Sequence, residues 1–83
     1  MKKLFLKHHL GLGDSFVHNG LVRRLVEEYP DYMVYVPSKE NNFKNVSFMY
    51  RDLPRVEVIK VMGDGDMENK IINGNYDIVI SSF

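Results

Sequence analysis

The sequence predicts an α/β fold: a three-layer domain with an open parallel sheet of four strands in the order 3-2-1-4 and helices on both faces. Three observations carry this expectation. Short apolar runs at 4–7, 32–36, 56–61 and 76–80 alternate with segments that bear helical spacing or helix-start residues. A glycine-rich turn, Gly11-Leu12-Gly13-Asp14, follows the first run and opens the first helical segment. Strands separated by helices are normally parallel with right-handed crossovers, which leaves few arrangements for four of them.

Strand 1 is the run at 4–7. After it, Phe16, Val17, Leu21, Val22, Leu25, Val26 and Tyr29 recur at three- and four-residue steps, and Arg23 and Arg24 precede Glu27 and Glu28 by four residues. That spacing predicts one amphipathic helix, capped at its start by Asp14 or Ser15 and ended by Pro30. Gly20 lies inside it, at a cost of about 1 kcal/mol relative to alanine, and close approach of helix to strand explains it most simply. Strand 2 follows at 32–36. Phe43, Val46, Tyr50 and Leu53 share one face of a second helix that must end before Pro54. In strand 3, Arg55, Glu57 and Lys60 are interspersed with Val56, Val58 and Val61, as suits an exposed edge. A short third helix is expected over 66–72, with Asp66 as N-cap and Asn73-Gly74-Asn75 as its stop. Strand 4 contains Asp77-Ile78-Val79-Ile80, which lacks alternation and so predicts a strand covered on both faces, with a further neighbour outside this chain.

With 83 residues, 45% of them hydrophobic, the chain suffices for one domain, near the size at which burial only just offsets chain entropy. Lysine plus arginine equals aspartate plus glutamate at 11 each, so no net field attracts nucleic acid or an acidic membrane. There is no cysteine, hence no disulfide, thiolate nucleophile or thiolate metal site. The start, Met1-Lys2-Lys3 followed by three apolar residues, is too short for a signal-peptide core, and no run approaches the ~18 apolar residues of a membrane span. A cytoplasmic location without a transmembrane segment is the expectation.

The order 3-2-1-4 places the topological switch between strands 1 and 4, where open sheets bind ligands. Gly11, Gly13, Asp14, His18, Ser81 and Ser82 are therefore the candidate site residues. Asp14 can serve as a helix cap or, from the mouth of the sheet, accept a proton as general base. His18, one turn on, can face the same mouth. His8 and His9 end strand 1, so one ring points into the packing and the other outward; they lack a third metal ligand, and no metal is expected. Dinucleotide binding is disfavoured: the third glycine of the fingerprint falls on Phe16, the end of strand 2 offers Val36-Pro37-Ser38-Lys39 in place of an acid, and Asp14 would repel a pyrophosphate. Asp64-Gly65-Asp66, with Glu68 beyond, matches the D-x-D of metal-dependent sugar transferases, but a turn with Asp66 as cap explains it more simply.

Gly11-Leu12-Gly13-Asp14, Asn19-Gly20-Leu21-Val22-Arg23 and a helix ending at Tyr29-Pro30 together resemble the N-terminal, Rossmann-like half-domain of GT-B glycosyltransferases, particularly the heptosyltransferase-like family. Gly20 stands where those enzymes usually carry proline, which places the chain in a divergent branch. The resemblance implies that residues 1–83 form one acceptor-side domain, incomplete by itself and serving polysaccharide biosynthesis. It implies a bound sugar acceptor, Asp14 as the base for inverting transfer, and a nucleotide-sugar donor as co-substrate held by a C-terminal domain outside this chain, with no tightly bound cofactor. The alternative is a non-catalytic small-ligand-binding or interaction module in which Asp14 merely caps a helix. The unpartnered edge of strand 4 leads to an expectation of self-association, which light scattering over a concentration series checks.

Overall fold

Alternation along each strand decides which side chains meet which helices. In the computed structural model, which describes residues 1–82, β1 (Lys2–His8) is followed by α1 (Leu12–Val17), α2 (Asn19–Glu28) and β2 (Tyr32–Lys39). A 3-10 turn (Glu40–Asn42), α3 (Phe43–Met49), β3 (Val56–Val61), α4 (Asp64–Asn73) and β4 (Ile78–Ser82) complete the chain. The strands form one parallel sheet in the order β3-β2-β1-β4, as the connectivity predicts. Leu4, Leu6, Val34 and Val36 lie on one face and pack with Val22 and Leu25 of α2 and with Val46 and Tyr50 of the α3 segment. Phe5 and Val61 point the other way and pack with Leu10 and with Met67 of α4. Among the described residues no helix is long and apolar enough to cross a membrane.

Element ends depart from expectation for identifiable reasons. β2 continues through Pro37. The Val34 N–H bonds to the carbonyl of Arg55, the residue just before β3 (2.7 Å), so by alternation Val36 and Ser38 also face β3 while Pro37 faces β1. On that side the pairing ends at Phe5 with Tyr35, and the proline removes no ladder donor. After Met49 the α3 helix gives way to turns in which Arg51 N–H bonds to Phe48 and Leu53 N–H to Tyr50, yet Tyr50 and Leu53 still reach the same core. β4 begins two residues later than the apolar run suggests because Tyr76 packs edge-on against Phe5 and Tyr35, at 5.0 and 5.2 Å between ring centres. Asp77 then anchors the strand: its N–H bonds to the Lys3 carbonyl, and its carboxylate accepts the Lys3 N–H, both at 2.8 Å. β4 is not covered on both faces. Val79 is 43% exposed, because α4 lies over Phe5 and Val61 rather than over this edge.

The first helix is two helices, with the break at His18 (φ −84°, ψ −3°). It also starts earlier than expected: Gly11 is the N-cap without a side-chain cap bond, Asp14 sits at the third helical position, and Ser15 is buried inside α1. Neither Asp14 nor Ser15 is the cap. Asp66 is likewise the third residue of α4, behind Gly63 as N-cap, and its carboxylate reaches back to the Met62 N–H at 2.8 Å. Gly20 does not mark a close approach, since it is exposed and a Cβ built there meets nothing within 4 Å. Gly20→Ala should therefore stabilise the domain by up to about 1 kcal/mol, read as a rise of several degrees in melting temperature. A fall would show that the α1–α2 junction needs glycine freedom.

Candidate functional site

The register of β1 against β4 builds the mouth of the sheet. Leu4 pairs with Ile78, Leu6 with Ile80 and His8 with Ser82, so His8 and Ser82 emerge side by side on the face covered by α2. His18, at the α1–α2 break, brings its ring onto both. It stacks on His8 with ring centres 4.6 Å apart and planes 12° from parallel, and its Nε2 lies 2.9 Å from Ser82 Oγ. Its Nδ1 lies 2.7 Å from the Asp14 carbonyl oxygen, which can only accept; that nitrogen therefore carries a proton, and in the neutral ring Nε2 accepts from the Ser82 hydroxyl. The Asp14 carbonyl also accepts the His18 N–H at 3.1 Å, a double engagement that accompanies the break in the helix. His8, 1% exposed, donates from Nδ1 to the His9 carbonyl at 2.6 Å, while His9 points outward, as alternation requires.

Burial lowers the His8 pKa from the ordinary 6.5. The His9 carbonyl and the Asp14 carboxylate act in the opposite sense, and the His18 ring adds to the lowering. Because the folded value lies below the unfolded one, the stability linked to His8 is present above about pH 6.5 and is lost as pH falls through the folded value. The melting temperature should therefore drop as pH is lowered from 7 toward 5, with a shallower slope in His8→Gln. An equal slope in that variant would assign the effect to other groups.

Asp14 contributes differently from its counterpart in the second glycine turn. Gly11-Leu12-Gly13-Asp14 after β1 and Gly63-Asp64-Gly65-Asp66 after β3 share the pattern G-x-G-D, with the aspartate third in each helix. Asp66 spends its carboxylate on the Met62 N–H and lies 3.7 Å from Lys70 Nζ. Among the described residues no hydrogen bond or ion pair engages the half-buried Asp14 carboxylate, whose Oδ2 lies where a Cβ on Gly11 would come within 2.8 Å. Gly11 thus makes room for this side chain. Gly13 is exposed, with nothing within 4 Å of a built Cβ, and leaves the backbone beside Asp14 open to a ligand. The recurrence of G-x-G-D in the sequence marks the shared structural position; only the Met62 N–H bond to Asp66 tells the two carboxylates apart.

Asp14, His18 and Ser82 come together, beside Gly11 and Gly13 and with His8 as an additional member. Ser81 does not join them: it pairs with Lys7, and the two-residue period of β4 turns it to the opposite face. Two clefts lie elsewhere. One of about 400 Å³ separates α3 from β3 and is lined by residues including Phe43, Tyr50, Arg51 and Glu57. Burial pushes the Tyr50 phenol there up to about 12, so near neutral pH it remains protonated. The other, about 220 Å³, lies among Glu40, Lys60, Asp66 and Lys70. Among the described residues no group of three or more histidine, aspartate or glutamate side chains converges as a metal site. No family model matches the chain, and neither a curated protein nor a solved structure matches it.

Proposed function

We propose that this domain binds a sugar acceptor at the mouth formed by β1, β4 and α1, and that Asp14 removes the proton from the acceptor hydroxyl during transfer from a nucleotide-activated sugar held by another domain. The observation that carries the proposal is the Asp14 carboxylate, unspent where Asp66, at the same third position of its helix, is bonded to backbone. A carboxylate free of cap bonds keeps its lone pairs for a substrate. In the transfer, the acceptor O–H bond breaks toward Asp14 while the oxygen forms a bond to the anomeric carbon and the nucleoside diphosphate departs from the opposite face. The open surface over Gly13 admits the acceptor, and the Ser82 hydroxyl and His18 ring offer it hydrogen-bonding neighbours, which suits a polyol.

The test is an NMR titration of the isotopically labelled protein with a panel of mono- and disaccharides. Shifts should concentrate at Gly11, Gly13, Asp14, His18 and Ser82. Shifts confined to the α3–β3 cleft around Tyr50 and Arg51, or none with any saccharide, would overturn the reading.

A further inference from the structure

Beyond contacting an acceptor, the Ser82 hydroxyl and His18 ring form a second arrangement at the same mouth that sugar transfer by Asp14 does not require. The Ser82 hydroxyl donates to His18 Nε2 at 2.9 Å, and the His18 Nδ1–H is held by the Asp14 carbonyl at 2.7 Å. The His8 ring, stacked at 4.6 Å, restrains the plane of the His18 imidazole. A serine donating to a neutral imidazole whose other nitrogen is fixed by a third group is the geometry that activates serine toward acyl groups. In the neutral ring the hydrogen-bond direction follows from the carbonyl: with Nδ1 committed as donor, Nε2 has only a lone pair to offer, and it is aimed at the hydroxyl proton. Ser82 is half-exposed near the end of β4, where a reagent from solution can reach it.

We infer that Ser82 is an activated nucleophile with His18 as its base, and that this mouth hydrolyses small carboxylic esters through an acyl-Ser82 intermediate. Ser82 Oγ forms a bond to the ester carbonyl carbon as its proton passes to His18 Nε2. Collapse of the tetrahedral adduct breaks the bond to the leaving alcohol oxygen, which takes that proton and leaves Ser82 acylated and His18 neutral. A water molecule then attacks the acyl carbon, giving a proton to Nε2, and the proton returns to Ser82 Oγ as the carboxylic acid departs. A small ester is the substrate class because Gly11 and Gly13 are exposed beside the serine and the two clefts described above lie elsewhere.

The experiment treats the chain with phenylmethylsulfonyl fluoride, followed by intact mass and peptide mapping, and in parallel follows p-nitrophenyl acetate hydrolysis. One sulfonyl adduct on Ser82 is expected. Ser82→Ala should abolish both signals, His18→Gln should slow both by a factor on the order of a hundred, and Ser81→Ala, on the opposite face, should leave both unchanged. Far-UV circular dichroism of each variant reports folding, and Ser82→Ala, which only trims the end of β4, decides the question even where His18→Gln unfolds. Labelling of another residue, no labelling, or equal labelling of a folded His18→Gln would overturn the proposal. Neither probe contains a sugar or nucleotide, so this result stands or falls separately from sugar transfer.

Discussion

Exchange of Asp14 for asparagine should lower sugar transfer by a factor on the order of a hundred while lowering the melting temperature by no more than a few degrees. Asparagine keeps the shape and polarity of the side chain but cannot take a proton from an acceptor hydroxyl. A hundredfold loss corresponds to about 2.7 kcal/mol of barrier. The stability half of the expectation rests on where α1 begins. Gly11 is the N-cap and no side chain caps the helix, so removing the Asp14 carboxylate forfeits only its interaction with the helix dipole, about 0.3–1 kcal/mol. Asp14→Ala should therefore also remain folded, without the larger penalty that a lost cap bond would bring. Turnover with nucleotide-activated sugars, in protein that also carries the donor-binding domain this proposal requires, and thermal melting of both variants check this. Unchanged turnover in Asp14→Asn would favour the non-catalytic binding module.

Arg55→Ala should cost about 3 kcal/mol of folding stability, the largest effect expected from a single surface-proximal side chain here. The strand pattern reads Arg55 as one of the polar residues of an edge strand. In the structure its guanidinium donates to the carbonyls of Val26 at 2.6 Å and of Tyr29 and Tyr32, each at 2.8 Å. The Val26 carbonyl belongs to the last turn of α2, which has no partner within the helix, and the cation also faces the negative end of the helix dipole. One side chain at the start of β3 thereby ties down the end of α2 and the start of β2. Charged hydrogen bonds contribute about 1.5–3 kcal/mol each, but the half-exposed site lets water reach the released carbonyls, so the three do not sum. Arg55→Lys should recover only part of the loss, because an ammonium cannot fork across three carbonyls. Urea denaturation of both variants measures the effect; an unchanged midpoint in Arg55→Ala would mean that water replaces the guanidinium without cost.

Ser81 and Ser82 show how much of the site the sequence could specify. The switch-point rule leads from strand order to the ends of β1 and β4 and so to both serines, but an apolar run ending at Ile80 carries no phase for the residues after it. Only the extension of β4 to Ser82, paired with His8, assigns one serine to the mouth and the other to the opposite face. Asp14 was legible as a residue and a location. Whether its carboxylate was a cap, a partner or unspent was not, because that depends on where α1 starts, and Gly11 rather than an acid occupies the cap.

The chain's own periodicities, near two in the strands and 3.6 in the helices, determined that this is a parallel α/β sheet with the order β3-β2-β1-β4 and a glycine turn at its switch point. Those periods follow from backbone geometry and survive whatever packs against them. The breaks and endpoints did not follow: His18 parts the first helix, Pro37 lies inside β2 and Tyr76 stays out of β4 because of partners that local pattern cannot see. The tertiary structure alone decided the meeting of Ser82 with His18 and the threefold grip of Arg55. The physical reason is range: a hydrogen bond is directional and short, and these partners meet only after segments as far apart as 64 residues have been brought together by packing that is itself non-directional.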